Sequence, residues 1–219
     1  MKWLFIYAAF LFGICPFTSA QHSFPGFLFD KFEKGKIIYK TGNQATTGMF
    51  NYNTVDEKLL FVLQDTIILE LERPDIVAEL IILDRVFEHA GNGIFYEKIK
   101  TGDNFFYVRW LTKIIYDEKE GGYGTRPATG AIDKINQINS TGGSFYKFDT
   151  QSNYRLMTEN IYYLKAEKGF KRFASFDVLA KQFKNCKDRL KLFVKDENLN
   201  FKQVNDVAKA VMYGFENCK

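Results

Sequence analysis

The sequence has few residues of the kinds that usually carry out nucleophilic or metal-assisted catalysis. Its 219 residues include two histidines, His22 and His89. A Ser–His–acid triad would have to use His89, since His22 lies at the start of the predicted mature chain, and no Gly-x-Ser-x-Gly nucleophile elbow is present. A zinc site usually takes three or four nitrogen or sulfur ligands, which this chain does not readily supply. The sequence therefore argues against a serine hydrolase and predicts no metal.

Paired carboxylates are the remaining candidates for acid–base chemistry. Glu70 with Glu72, and Asp117 with Glu118, stand at the ends of predicted strands. Charged side chains at such positions are ordinarily solvated, so neither pair is predicted to be catalytic. A glycosidase can work with carboxylates alone, and a carboxylate-dependent hydrolase therefore stays open as an alternative function.

Two loops have some features of ligand-binding motifs but lack the residues that bind. The glycine-rich segment 121–124 has no Gly-Lys-Ser/Thr ending, which a phosphate-binding loop requires. The acidic run 196–200 begins like a calcium loop, but Phe201 replaces the required glycine and Val207 replaces the bidentate acid. The sequence predicts no cofactor.

Residues 1–20 are predicted to be a cleavable signal peptide. Such signals combine a positive start, an apolar core and small residues before the cleavage point. The corresponding residues here are Lys2, the run 3–14, Thr18 and Ala20. Cleavage after Ala20 would leave Gln21 as the first mature residue. The mature protein is then expected in the periplasm, at the outer membrane or outside the cell.

A membrane anchor and a lipoprotein are the two alternatives to a cleaved signal peptide. A membrane anchor needs about 20 apolar residues, and the run at the start of the chain is shorter. A lipoprotein would use Cys15 as the lipidated residue, but Ile14 stands where such signals carry a small residue. No later apolar run is long enough to cross a bilayer, so the mature chain is predicted to contain no transmembrane segment.

The charge and the aromatic content exclude some partners. The formal net charge is +4, and it falls to +3 when Lys2 leaves with the signal. The basic residues are spread along the chain without a long block, which argues against nucleic acid as a partner. Aromatic residues make up 17% and are mostly phenylalanine, 23 in number, which indicates packing more than a sugar-stacking platform.

Short apolar runs separated by tight turns predict an α+β fold. It consists of an antiparallel β meander, forming an open barrel or a strongly twisted sheet, followed by a short C-terminal helical segment. The predicted strands are Gly35–Lys40, Gln44–Phe50, Leu59–Leu63, Thr66–Leu71, Ile76–Leu83, Ile94–Lys100, Phe105–Tyr116, Ser144–Phe148 and Asn160–Lys165. Turns at 41–43, 90–93 and 101–104 contain the glycine or asparagine that a positive φ favours.

The predicted organisation has four parts. The signal peptide 1–20 and a flexible segment 21–34 precede an antiparallel β domain over 35–170, and a helical tail over 171–219 packs on that domain. A long loop at 119–143 interrupts the β domain, and long loops in compact domains are usually functional or mobile. Tyr123 and Arg126 in this loop are the candidate binding residues.

Three helices are predicted in the tail. Ser175 is a good N-cap for the first, Asn185 for the second, and Asn200 with Gln203 forms a capping-box pair for the third. The apolar positions of the third helix recur at helical spacing and predict one buried face. They are Val204, Val207, Ala208, Val211, Met212 and Phe215.

Cys186 and Cys218 are the two cysteines of the predicted mature chain. An even count in an exported chain favours a disulfide. A helical hairpin turning near Asn198 would carry Cys218 past Cys186, because the two lie 12 residues before and 20 residues after that point. The overshoot would exceed the Cα separation of about 7 Å that a disulfide spans. An early helix end at Gly214 would bring the tail back, and two free thiols are the alternative.

Several short runs of the β domain resemble a group of uncharacterised exported cell-envelope proteins common in Bacteroidota. The runs that carry the resemblance are Gly35–Gly42, Phe50–Asn53, Leu59–Val62, Pro74–Ile76, Asp84–Phe87 and Phe95–Glu97. The resemblance covers roughly residues 35–116, and more weakly the helical tail. It implies a Gram-negative cell envelope or exterior and brings no catalytic residues.

The leading functional prediction is a non-enzymatic binding or interaction module whose partner is an envelope protein or glycan. The alternatives are a carboxylate-dependent hydrolase and a carrier of an apolar ligand. Three observations would separate them. Two carboxylates facing each other across a cleft favour the hydrolase, an empty apolar cavity inside the sheet favours the carrier, and a filled core with an exposed patch favours the binding module.

Overall fold

The fold is known from a computed structural model. It describes residues 25–42, 44–64, 67–116, 137–140, 143–146, 154–167, 169–183 and 186–218. The strands are β1 (Glu33–Tyr39), β2 (Ala45–Asn53), β3 (Lys58–Leu63), β4 (Ile67–Glu70), β5 (Val77–Ile82), β6 (Arg85–Gly91), β7 (Ile94–Thr101), β8 (Asn104–Arg109), β9 (Thr112–Tyr116), β10 (Gln137–Ser140), β11 (Gly143–Tyr146), β12 (Tyr154–Thr158), β13 (Ile161–Ala166) and β14 (Gly169–Phe173). The helices are α1 (Phe176–Ala180), α2 (Lys187–Asp196) and α3 (Val204–Asn217).

Ten of the strands form one antiparallel sheet in the order β14-β13-β8-β7-β6-β5-β1-β2-β3-β4. Its two edges, β14 and β4, are not paired with each other, so the predicted α+β fold is confirmed in its twisted-sheet form. Two smaller antiparallel pairs, β12 with β9 and β10 with β11, accompany the large sheet. The order departs from a simple meander at β1, which lies between β5 and β2, and at β8, which pairs with β13.

Two strand predictions failed where a turn or a break has no glycine, asparagine or proline to signal it. Leu83 occupies a turn with φ of +55° and so hides the hairpin between β5 and β6. Trp110 lies in the break that divides the predicted strand 105–116 into β8 and β9. The short strands β12 and β14 were also missed, and β10 lies within the segment predicted as a loop.

One face of the large sheet carries the core, and we call it the inner face. Because side chains alternate along each strand, the antiparallel registers place one continuous apolar surface on this face. Toward β1–β3 it forms a cluster that includes Ile37, Tyr52, Leu80, Phe87 and Phe95. Toward β13 and β14 it forms a second cluster with all three helices. Trp110 packs against both clusters.

The helical tail follows the predicted caps only in part. The Ser175 hydroxyl caps α1 by accepting a hydrogen bond from the Val178 N–H at 3.2 Å, as predicted. The predicted capping box of the third helix is wrong, because α3 begins at Val204 and its N-cap Gln203 makes no side-chain bond. The Asn200 side chain instead accepts from the Lys202 N–H within the preceding turn.

The buried face of α3 is rotated from the predicted one. The helix buries Val207, Ala210, Val211 and Gly214, whereas Met212 is exposed. None of these four residues is larger than valine, and small side chains let a helix approach its neighbours closely. Hydrophobicity alone predicted that Met212 is buried. The close approach of α3 to its neighbours instead requires the small residues Ala210 and Gly214 on the buried face.

The segment before β1 lies against the sheet, and the Asn51 side chain is one of the groups that hold it there. This side chain is fully buried. Its amide nitrogen donates to the carbonyl oxygens of Phe29 at 2.8 Å and Lys31 at 3.0 Å. Its amide oxygen accepts from the N–H groups of Tyr52 at 2.8 Å and Phe29 at 3.2 Å. One amide therefore satisfies four backbone groups of two chain segments.

Replacing Asn51 with alanine should lower the free energy of unfolding by about 2 kcal/mol, because buried backbone groups would lose their partners. Urea denaturation monitored by tryptophan fluorescence measures the change. Asn217→Ala is the matched control, since its amide makes one exposed contact with the Tyr213 carbonyl oxygen. Equal losses in the two variants would contradict the role of Asn51.

Candidate functional site

Part of the predicted site lies outside the described residues. This holds for the candidate binding residues Tyr123 and Arg126 and for the predicted cleavage point between Ala20 and Gln21. The predicted cysteine pair, in contrast, is described together with its surroundings. The candidate site lies next to these two cysteines.

Cys186 and Cys218 are joined by a disulfide, with their Cα atoms 5.3 Å apart. Cys186 directly precedes α2, and Cys218 directly follows α3. The expected overshoot does not arise, because α3 begins at Val204 and the turn between the helices takes up residues 197–203. The proposed early end at Gly214 is wrong, since the helix continues to Asn217.

The disulfide holds two phenylalanine rings together. Phe183 and Phe215 each stand three residues before one of the bonded cysteines. Their rings meet edge to face with centroids 5.3 Å apart. Gly214 makes room for this pair, because a Cβ at that position would lie 2.4 Å from the Phe183 ring. The ring pair is therefore fixed both by a covalent bond and by a glycine.

These rings line a groove with a volume of about 670 Å³, and we call the ring pair its floor. The groove lies between the β7–β8 turn, the β13–β14 hairpin and the end of α3. We call it the clamped groove and define it by six of its lining residues, Asp103, Lys171, Phe183, Phe215, Glu216 and Cys218. It lies on the inner side of the sheet edge, since Lys171 pairs in register with the buried Leu164.

The walls of the clamped groove carry opposite charges. Lys171 provides an ammonium on the side of β14, and Asp103 and Glu216 provide carboxylates on the side of the β7–β8 turn and α3. The Glu216 carboxylate lies close to this turn, 3.3 Å from the Cβ position of Gly102. Within the described part of the chain, none of the three groups has an ion-pair partner. The groove therefore offers unpaired charges of both signs above an aromatic floor.

Glu97, the most deeply buried carboxylate of the described residues, has side-chain partners on both of its oxygens. Its two oxygens accept from the Arg85 guanidinium at 2.7 and 2.6 Å, and the Trp110 indole donates to one of them at 2.6 Å. The Arg85 guanidinium also lies 4.9 Å from the Phe29 ring centroid and 5.0 Å from that of Trp110. This cluster lies where the two apolar clusters of the inner face meet.

Other carboxylates of the described chain are also paired with cations. Glu57 accepts two hydrogen bonds of 2.5 Å from Arg109, and Glu88 pairs with Lys165. Of the carboxylates singled out in the sequence, Glu70 pairs with Lys58 at 2.7 Å and Glu72 is exposed. Asp117 and Glu118 lie outside the described residues. The Glu70 carboxylate therefore already has a cation of the same chain as its partner.

A tyrosine cluster, which sequence reasoning missed, lies on the opposite face of the sheet. Tyr96 stacks on Tyr163 with centroids 4.6 Å apart, and Phe170 contacts both rings and Tyr107 edge to face. Burial raises the pKa of the Tyr107 hydroxyl, as does its hydrogen bond to Glu88. Tyr107 and Tyr163 are buried, so the cluster is a small second core more than an open platform.

The burial of Tyr52 predicts that the stability of the fold declines at alkaline pH. Burial, and next the Glu57 charge, raise its pKa above the ordinary value of 10.0. The unfolded chain therefore releases this proton first, and the stabilisation present below about pH 10 is lost as the pH rises further. The hydroxyl is buried without a hydrogen-bond partner among the described residues.

Tyr52→Phe should therefore reduce the alkaline decline of stability by up to about 1.4 kcal/mol per pH unit above pH 10. At pH 7 the same substitution should leave the free energy of unfolding nearly unchanged, because no hydrogen bond is lost. Urea denaturation at a series of pH values measures both. An unaltered alkaline slope in the variant would contradict the burial of this hydroxyl.

His89, the one histidine described, does not belong to a cluster of metal-ligating residues. Burial, and next the charge of Lys40, lower its pKa. Its ring lies 5.4 Å from that of Phe95. Among the described residues, no group of three or more His, Cys, Asp or Glu side chains could hold a metal ion.

In the described ranges, no helix has both the length and the apolar character needed to cross a bilayer.

No protein-family model matches the chain, and no curated protein or solved structure shows a significant match to it.

Proposed function

We propose that this protein is an exported binding module, not an enzyme, and that it binds its ligand in the clamped groove. The observation that carries the proposal is the groove itself, in which an aromatic floor fixed by a disulfide lies below unpaired charges of both signs. Its volume falls within the range of about 300–1,000 Å³ that is typical of ligand sites. A few polar groups around an apolar floor are also typical of such sites.

The described residues give less support to the two alternatives. A carrier of an apolar ligand would need space inside the sheet, where the rings of Tyr52 and Phe29 instead pack against Phe87 at centroid distances of 6.3 and 6.5 Å. A carboxylate hydrolase would need two carboxylates directed at a substrate. Glu57 and Glu97 are instead occupied by arginines of the same chain.

A dye titration tests the groove as a binding site. The probe is N-phenyl-1-naphthylamine, an uncharged aromatic molecule that requires only the aromatic floor. We expect saturable binding at one site, weakened about tenfold in Phe215→Ala, which corresponds to about 1.4 kcal/mol. The control Leu192→Ala changes an apolar residue of α2 that is 59% exposed and should bind like the wild type. Equal binding by the two variants, or no saturable binding, would overturn the proposal.

Export and location in a cell envelope form the second part of the proposal. The Cys186–Cys218 disulfide supports them, because structural disulfides persist mainly in oxidising compartments. The segment 119–143, with Tyr123 and Arg126, remains a second proposed contact surface for an envelope protein or glycan.

Mass spectrometry of protein recovered from its native cell envelope tests the export signal. We expect Gln21 as the first residue, because cleavage follows the small residues Thr18 and Ala20. An intact Met1 would refute cleavage. A lipid attached to Cys15 would favour the lipoprotein alternative.

A further inference from the structure

The arrangement of charges in the clamped groove indicates what kind of molecule it binds. The groove has an ammonium on one wall, two carboxylates on the other and an aromatic floor between them. An anionic ligand would complement Lys171 alone and would be repelled by Asp103 and Glu216. A cationic ligand would complement Asp103 and Glu216 and would be repelled by Lys171. Only a ligand with both charges satisfies both walls.

We infer that the clamped groove binds a zwitterionic molecule with an apolar side chain, such as a short peptide with free termini. This inference rests on the proposed function, since it names the ligand class of the same groove. The ligand carboxylate pairs with Lys171, and the ligand ammonium pairs with Glu216 and Asp103. The apolar side chain lies on the rings of Phe183 and Phe215, where it is removed from water.

The position of Lys171 supports a ligand role for this residue. Its partner in the β13–β14 register is Leu164, which is buried in the helix cluster, so the Lys171 side chain leaves the strand on the inner face. An inward-pointing charge on an edge strand can also serve to prevent pairing with another sheet. The two roles differ in their consequences, because a guard against pairing does not discriminate among small ligands.

The aromatic floor of the clamped groove is preorganised. The rings come from segments 32 residues apart in sequence and are fastened by the Cys186–Cys218 disulfide directly behind them. Gly214 allows the Phe183 ring to lie against α3. A preorganised floor lowers the ordering cost of binding, which suits a small ligand that can form few contacts.

Calorimetric titration with three peptides of one sequence tests the inference. The peptides are Phe-Leu with free termini, N-acetyl-Phe-Leu and Phe-Leu-amide, which remove the ammonium or the carboxylate one at a time. We expect the free peptide to bind about tenfold more tightly than either blocked form, since each block removes a charge-assisted contact. In Lys171→Met the preference for the free carboxylate should vanish. In Glu216→Gln the preference for the free ammonium should weaken.

Lys202→Met is the matched control, because it removes an exposed lysine of the turn between α2 and α3 and should leave all three affinities unchanged. Equal affinity for the three peptides, or no saturable binding of any, would overturn the inference. The dye titration separates the two proposals. If the dye still binds in a manner that depends on Phe215, the groove remains a binding site and only the ligand class is wrong. If the dye also fails to bind, both proposals fail.

Discussion

Replacing Glu97 with alanine should lower the free energy of unfolding by about 3–5 kcal/mol, the largest loss expected from a single side chain in this protein. The substitution leaves the Arg85 guanidinium among aromatic rings without its counter-charge, and it leaves the Trp110 indole N–H without its acceptor. The Glu97 side chain is only 8% exposed, so water cannot readily replace it. Urea denaturation monitored by circular dichroism measures the effect.

Two comparisons make this prediction specific. Glu70→Ala removes an ion pair with Lys58 in which both side chains are about 40% exposed, and it should cost less than about 1 kcal/mol. The double substitution Arg85→Met with Glu97→Leu should cost less than Glu97→Ala alone, because no unpaired charge stays buried. Similar losses for Glu97→Ala and Glu70→Ala would show that the buried cluster contributes no more than a surface pair.

Removing the disulfide should lower the free energy of unfolding by about 3–4 kcal/mol. The bond closes a loop with a sequence separation of 32, and the loss of this constraint increases the entropy of the unfolded chain by the corresponding amount. Cys186→Ser and Cys218→Ser should show the same decrease, since either one abolishes the bond. Thermal and urea denaturation, with and without a thiol reductant, measure it.

Reductant provides the internal control for this second prediction. It should lower the midpoint of the wild-type protein to that of the serine variants and leave the variants themselves unchanged. Dye binding should weaken under the same conditions, because the disulfide fastens the Phe183–Phe215 floor of the clamped groove. A wild-type midpoint that does not respond to complete reduction would contradict the stabilising role of the bond.

The parts of the fold that could be predicted were those encoded by neighbouring residues. Gly42, Gly93 and Gly102 lie in turns with φ of +107°, +77° and +59°, a region that glycine enters without strain. Ser175 caps a helix with its own hydroxyl. The alternation of apolar and polar residues predicted most of the strands between residues 35 and 116, because the burial of every second side chain is a local property of a strand.

Three of the failures, at Leu83, Trp110 and Met212, share a cause, which is that a tertiary contact overrode the local signal. Leu83 adopts a positive φ that its residue type does not favour, in a two-residue turn tying β5 to β6. Trp110 interrupts a run of strand-forming residues, and its indole binds Glu97. Met212 lost its expected burial to Ala210 and Gly214, because the close contact of α3 with its surroundings requires small side chains.

By itself, the sequence predicted the antiparallel character of the sheet and the three helices of the tail, and it favoured a disulfide between its last two cysteines while leaving two free thiols open. Tertiary structure alone decided that Phe183 meets Phe215, that Lys171 faces the inner side of the sheet edge, and that Glu97 is enclosed by Arg85 and Trp110. The physical reason is the distance along the sequence between the residues that interact. Turns, caps and alternation depend on residues a few positions apart, whereas the clamped groove depends on the register of β13 with β14 and on how the helices cross that edge.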